Sequence, residues 1–310
     1  MATLRSLLAE GEIQLRQAGI DSSQSDAEWL MAELCSRRRA ELALHWEEPL
    51  ASDQTEHWKR LLSLRCDRIP LQRILGTAHF CGLPLAVDGP VLIPRPETEQ
   101  LVELIVKRFR DRPPRSILDL GTGSGACILV LGKAFPTATL TASDISPEAL
   151  ALARRNGNRC QMGKRIHFIC CNWFSTLRGR WDLIIANPPY LTDDEWLSAE
   201  PEVRDHEPKG ALLGGGRDGA DALRTILRGA PKHLTDGGLL ALEMGMAQGP
   251  TLLAIGRQMG FACEVCQDLS GRERFFLAQR AANSGSVACG RRSVRSPAAR
   301  SRRRERNRRS

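Results

Sequence analysis

Apolar side chains recur at intervals of three and four through SLLAEGEIQLRQAG, DAEWLMAELC and HWKRLLSLRC, the spacing that gathers them on one face of an α-helix. Residues 1–70 are therefore expected to form a small helical domain. Beyond them ILGTAHFCGLPLAVDGPVLIP breaks into β-rich pieces punctuated by Gly and Pro, and residues 71–92 are expected to be a β-hairpin linker.

The next stretch, RPETEQLVELIVKRFRD, predicts a helix with acidic residues in its first turn, where the helix dipole favours them. After it, apolar runs alternate with helical spacing. The strand candidates are SILDLG, TLTASD, IHFICC, WDLIIA, GGLLALEM, ACEVCQ and RFFLAQ. Strands separated by helices imply an α/β fold with a mainly parallel, doubly wound sheet. The last two candidates are joined by only a few residues, too few for a crossover helix, and predict a terminal antiparallel hairpin. Residues 93–280 thus make a second, larger domain.

Composition refines this picture at the C-terminus. Of 44 basic and 36 acidic residues, ten arginines and one glutamate lie after residue 280. That leaves 34 against 35 in the body, which is close to neutral. Residues 281–310 hold almost no large apolar side chains and are expected to be a disordered basic tail, able to contact RNA or ribosomes nonspecifically.

Ten cysteines, including adjacent Cys170 and Cys171, follow no disulfide framework spacing. The N-terminus lacks the uninterrupted apolar core of a secretory signal. Reduced thiols in a cytoplasmic protein are expected. No run approaches the roughly 20 apolar residues that span a bilayer. The CxxC from Cys263 to Cys266 could be half of a zinc site, but no second Cys/His pair stands near it and its alternation suits a strand. No metal is expected.

Chemistry enters at ILDLGTGSGACILVL, where Gly121, Thr122, Gly123, Ser124 and Gly125 lie between a buried strand and a helix. Glycines there permit a tight turn and let a ligand approach the backbone and the helix N-terminus. The next strand ends in Asp144, 23 residues after Gly121. A carboxylate at that strand end can accept both ribose hydroxyls of an adenosine moiety. The D-x-G-x-G-x-G loop with this acidic strand end resembles the class I S-adenosylmethionine-dependent methyltransferases, whose Rossmann-like sheet has seven strands and ends in a reversed hairpin.

The apolar run WDLIIA is followed by Asn187, Pro188, Pro189 and Tyr190. Neither proline has a backbone N–H, so strand pairing stops and carbonyls are left free. Asn187 adds an amide acceptor and Tyr190 an aromatic face. Such a site suits a planar NH₂ group, because two acceptors orient its N–H bonds and favour the charge it gains on attacking a sulfonium methyl. Exocyclic amines of nucleobases and glutamine amides both qualify.

Four further stretches resemble the HemK/PrmC peptide-chain release factor glutamine methyltransferases: VLIPRPETEQLVE with the segment before it, EVRDHEPKGALLGGGRDG, LALEMGMAQ and DLSGRERF. The resemblance spans about residues 1 to 280. It implies methylation of the glutamine in the Gly-Gly-Gln loop of class one release factors, with the helical domain gripping the substrate. It also implies that Gly121 to Gly125, Asp144, Asn172, Trp173 and Asn187 contact S-adenosylmethionine. Asn187, Pro188, Pro189 and Tyr190 would hold the glutamine, with Phe80 and Arg95 in the substrate wall. Asn172 stands where relatives usually carry Asp; its carbonyl can still accept a bond from the adenine amino group, without charge assistance. Glu273 stands where many relatives have Asp.

Three other functions compete. A glutamine methyltransferase of a large-subunit ribosomal protein would share NPPY and fold. A nucleic-acid exocyclic-amine methyltransferase would use the basic tail for phosphates, although the near-neutral body argues against it. A binding protein on a decayed methyltransferase fold is disfavoured by the intact loop, Asp144 and NPPY.

Overall fold

The structure is a computed structural model that describes residues 2–281. The tail of residues 281–310, expected to be disordered and to contact RNA, lies outside the described residues except for Ala281.

Helices α1 (Leu4–Gln17), α2 (Ser23–Leu34) and α3 (Ser52–Cys66) and the single-turn α4 (Leu71–Leu75) come first. They bury Leu4, Leu15, Leu30, Met31, Trp58 and Leu62 in a core of their own. Strands β1 (Thr77–Phe80) and β2 (Leu83–Ala86) pair antiparallel. Phe80, Leu83 and Leu85 of this hairpin pack into the core of the main sheet.

The rest runs α5 (Pro96–Arg108), β3 (Ser116–Leu120), α6 (Ala126–Ala134), β4 (Thr139–Asp144), α7 (Pro147–Arg159), β5 (Ile166–Cys170) and β6 (Trp181–Ala186). It continues through the short α8 (Asp193–Leu197) and α9 (Pro201–His206) to α10 (Asp221–His233), β7 (Leu234–Glu243), α11 (Gly249–Gln258), β8 (Phe261–Gln267) and β9 (Glu273–Arg280). All seven expected strands are present. They form one sheet in the order β5-β4-β3-β6-β7-β9-β8. The first five are mutually parallel, and β9 runs antiparallel between β7 and β8.

Period-two alternation sorts the strand residues between two cores. Ile117, Leu183, Ile185, Leu239 and Ala241 face one core, with Leu101, Val102 and Ile105 of α5 and much of α6. Leu118, Leu120, Ile184, Ala186, Leu240 and Leu242 face the other, with Leu223, Ile226 and Leu227 of α10. Burial on both faces is why these strands read as near-continuous apolar runs. The CxxC is divided by the same rule. Cys266 packs on the first face and Cys263 on the second, so the two thiols do not converge.

Strand order reverses between β3 and β6, and in open α/β sheets the crevice beyond the carboxyl ends of such strands is where ligands bind. The residues that continue the first face past the apolar run are Asp119 on β3, Asn187 after β6 and Glu243 on β7. The register, with Leu120 opposite Ala186 and Ala186 opposite Leu242, sets these polar groups side by side under α5.

Candidate active site

A cavity of about 410 Å³ opens at this reversal point. Its wall includes Gly121, Thr122, Gly123 and Ser124 of the glycine loop, Asp144 at the end of β4 and Ile145 after it, and Asn172 and Trp173 after β5. Asn187, Pro188 and Pro189 after β6 join them, with Phe80 of the hairpin, Arg95 and Thr98 at the start of α5, and Pro208, Gly210 and Ala211 from beyond α9.

The loop after β3 is built for close approach. Gly121, Gly123 and Gly125 have φ of +68°, +54° and +83°, values at which a side chain is strained. Thr122 N–H donates to the Ser143 carbonyl at 2.9 Å, anchoring the loop to β4. Gly125 is the N-cap of α6 and stands behind the wall. Asn156, wholly buried, donates to the Ser124 and Ala86 carbonyls and accepts from Ala86 N–H. One side chain thereby ties the loop to the hairpin and to α7.

Asp144 is oriented by the backbone. Its Oδ2 accepts from Gly123 N–H and its Oδ1 from Ser146 N–H, each at 2.9 Å. The N-cap of α7 is Ser146, whose hydroxyl accepts from Ala149 N–H, so Asp144 is not spent on capping. Each of its oxygens retains a lone pair for a ligand. Trp173 has φ +46° and sets its ring beside Gly121, while Asn172 is exposed at the cavity edge.

Asp119 forms part of the floor and is 2% exposed. Burial pushes its carboxyl up to about 7, against a 2.6 Å hydrogen bond from Thr122 Oγ1 and one from Ile128 N–H. On the opposite rim, Arg95 Nη2 bonds both oxygens of the buried Glu207, at 2.8 and 2.9 Å. This pair holds the start of α5 to the chain that follows α9.

Asn187 is engaged through its amide nitrogen. Nδ2 donates to Thr98 Oγ1 at 3.0 Å, and Thr98 Oγ1 donates to Glu243 Oε2 at 2.6 Å. No described residue donates to Asn187 Oδ1, which leaves that edge of the amide free to accept. Burial raises the Glu243 carboxyl above its ordinary range, opposed by the hydrogen bonds from Thr98 and Tyr190.

Tyr190 is not in the cavity wall. It is half-buried behind the prolines, donates its hydroxyl to Glu243 Oε1 at 3.1 Å, and has the Arg274 guanidinium 5.9 Å from its ring centroid. Burial, and then Glu243, push its phenol up. Its backbone is equally constrained. Gln248 Nε2 bonds the Tyr190 and Asp218 carbonyls at 2.9 and 2.8 Å, while Gln248 Oε1 accepts from Gly245 N–H. Gly219, at φ +67°, lies so close that a Cβ there would come within 2.3 Å of the Tyr190 carbonyl oxygen.

The structure thus brings the glycine loop, Asp144, Asn172, Trp173, Asn187, both prolines, Phe80 and Arg95 around one cavity and sets Tyr190 behind it. Sequence reasoning gave no site role to Thr98, Glu243, Gln248 and Glu207, and read Asp119 only as the acidic head of the glycine-loop motif. Two of these carry a readable signal. Thr98 is the polar member of the buried face completed by Leu101, Val102 and Ile105, and Glu243 is a lone carboxylate ending the apolar run GGLLALE.

The residues present suit an adenosyl ligand: a carboxylate held by two backbone amides, a loop without side chains, and an aromatic ring in the wall. A cavity of this size also falls within the usual range for small-ligand sites.

Comparison with known proteins agrees. Residues 6–76 match the family described as PrmC N-terminal domain, and residues 97–199 match the methyltransferase small domain. A Deinococcus radiodurans protein named release factor glutamine methyltransferase is 39% identical over 278 residues, covering 90% of this chain and 99% of its own. Proteins of the same name from Geobacter sulfurreducens and Cereibacter sphaeroides are 37% and 40% identical. They align over 88% and 86% of this chain and 95% and 94% of theirs.

Proposed function

This chain belongs to the release factor glutamine methyltransferase family, and on that premise we propose that it methylates a glutamine side-chain amide of class one peptide-chain release factors. The glutamine is that of their Gly-Gly-Gln motif, and S-adenosyl-L-methionine is the methyl donor. The observation that carries this reading is Asn187. Its amide lies in the wall of the cavity that also holds the glycine loop and Asp144, with Oδ1 open to accept from a substrate NH₂.

S-adenosylmethionine, when bound, supplies an electrophilic sulfonium methyl group. Gly121 to Gly125 and Asp144 would hold it, with Trp173 against the loop and Asn172 accepting from the adenine amino group. Asn187 Oδ1 and the carbonyl of Pro188, freed from strand pairing, would take the two N–H bonds of the glutamine amide and fix its nitrogen lone pair toward the methyl. An amide nitrogen is a weak nucleophile, so this orientation and the stabilisation of growing positive charge are what the protein contributes. The nitrogen would take the methyl as its bond to sulfur breaks, leaving S-adenosylhomocysteine, and would then release one proton to solvent to become a neutral N-methylamide. Phe80 and Arg95 would wall the substrate side, and Tyr190 would act from behind by holding Pro188 and Pro189 in place.

Among the described residues no helix is long and apolar enough to cross a membrane. The arginine-rich segment 281–310 is proposed as a nonspecific RNA or ribosome contact, by charge alone; truncation after Arg280 should abolish retention on RNA at low salt. The test of the central reading is incubation with labelled S-adenosylmethionine and purified release factor, ribosomal protein or RNA. Label on the release factor supports it, and label on either alternative sinks it.

A further inference from the structure

We propose that Thr98 and Glu243 are positioning residues that fix which edge of the Asn187 amide faces the cavity. The proposal rests on the function above, in which Asn187 must present an acceptor to a substrate NH₂.

An asparagine amide has two edges of nearly equal shape and opposite polarity. Turned one way, Asn187 would offer the cavity an acceptor, and turned the other, two donors. A donor edge would repel the N–H bonds of a glutamine amide. The neighbours decide the outcome. Thr98 has a single hydroxyl hydrogen, and Glu243 Oε2 lies 2.6 Å from Thr98 Oγ1. While Glu243 is ionised it can only accept, so the hydrogen points to it. Thr98 then has only lone pairs for Asn187, and accepts from Nδ2 at 3.0 Å. An inverted amide would place Oδ1 against those lone pairs with no hydrogen between them. The polarity set by the carboxylate thus passes through one hydroxyl to the reacting edge.

Glu243 is also the right group to hold the whole tetrapeptide. Its other oxygen accepts from the Tyr190 hydroxyl at 3.1 Å, so a single carboxylate anchors both ends of Asn187–Tyr190. It is 1% exposed, at the end of the buried apolar run of β7. Burying a carboxylate costs several kcal/mol unless it is well satisfied, and an apolar residue at this strand position would pack without that cost. The structure meets the demand with two hydroxyl donors aimed at its two oxygens. Thr98 comes from α5, whose N-cap Arg95 is tied to Glu207, so the wall of the cavity and the amide share one support.

The test uses the full-length chain with Thr98→Val, which removes the hydroxyl at nearly constant shape, and Thr98→Ser, which keeps it. Three quantities are measured: the single-turnover rate on release factor with saturating S-adenosylmethionine, the Kd for S-adenosylmethionine, and the Asn187 side-chain ¹⁵N–¹H resonances, assigned by their loss in Asn187→Ala. Thr98→Val should slow methyl transfer by about 10- to 100-fold, the scale of a misplaced reacting group. Its Kd should stay within about twofold, and the Asn187 resonances should shift and exchange faster. Thr98→Ser should restore rate and resonances. A wild-type rate in Thr98→Val, or Asn187 resonances that do not move, would overturn the proposal. The resonances need no substrate. Should the wild-type protein leave release factor unlabelled, the function proposed above fails while the resonances still decide the role of Thr98.

Discussion

Asn187 Nδ2 donates to Thr98 Oγ1 at 3.0 Å across 89 residues of sequence, so the amide at the end of β6 is set by the first turn of α5. Its Oδ1 is left as the acceptor in the cavity. Asn187→Ala is expected to slow methyl transfer by about 10² to 10³, by analogy with a lost oxyanion-hole donor. Cofactor affinity should change far less, because the acceptor matters most as charge develops on the nitrogen. Single-turnover kinetics and calorimetric titration with S-adenosylmethionine check the two halves of this statement.

Asp144→Ala should weaken S-adenosylmethionine binding by roughly 1.5 to 3 kcal/mol, the scale of a charge-assisted hydrogen bond. Part of that loss will come from the loop, since the carboxylate also holds Gly123 N–H and Ser146 N–H. The fold should survive, because the side chain lies at a strand end. Isothermal titration measures it, and an unchanged Kd would remove Asp144 from the site.

The rate should also depend on pH through Glu243. Only the ionised carboxylate forces the Thr98 hydrogen toward itself; once protonated it can donate to Thr98 and let the Asn187 amide invert. Activity is therefore present above the Glu243 pKa and lost as pH falls through it. Burial places that pKa above the ordinary carboxylate range, with Thr98, Tyr190 and Arg274 pulling it down and Glu97 pushing it up. Buried Cys127 also faces it and stays a thiol, its own pKa raised by burial. The acid limb of single-turnover rate against pH should vanish in Glu243→Gln. It should persist in Asp119→Asn, which separates the two buried carboxyls.

Asp119 affects stability with the opposite sense of pH. Its folded pKa of about 7 lies above the ordinary 3.8, so between these values the folded state binds more protons. Stability then falls as pH rises. Without ligand, Asp119→Asn should gain on the wild type as pH climbs from 4 to 8, by up to about 4 kcal/mol for a shift of this size. Urea denaturation at several pH values gives the slope. A constant difference would mean that Asp119 ionises normally.

Arg65 ties the helical domain to the chain after NPPY. It is 5% exposed and pairs with Asp26 at 2.7 Å and with Glu202 of α9 at 2.8 Å. Arg68 reaches Glu202 and Glu200 beside it. Arg65→Ala leaves the buried Asp26 carboxylate unpaired and should cost about 3 to 5 kcal/mol, seen as a lower urea midpoint of the helical domain.

The sheet was legible because its central strands β3, β6 and β7 are buried on both faces, so each appears as an apolar run ending at the ligand crevice. The closing hairpin followed from the short span between the last two strands. Asp144 and the glycine loop were legible because their chemistry lies within one β-loop-α unit. Thr98 and Glu243 were not, because their meaning depends on strand register and on α5 crossing the end of the sheet, contacts between positions 145 residues apart. Tyr190 shows the same limit from the other side. An aromatic next to the prolines reads as a stacking surface, whereas the hydrogen bonds of its hydroxyl to Glu243 and of its carbonyl to Gln248 depend on residues more than fifty positions away.

The most direct test of the account is mass spectrometry of a class one release factor after incubation with S-adenosylmethionine and either the wild-type protein or Asn187→Ala. The account predicts one added methyl group on the side-chain nitrogen of the Gly-Gly-Gln glutamine with the wild type and almost none with Asn187→Ala in the same time. An unmodified glutamine with the wild type, or equal methylation by the variant, would contradict it.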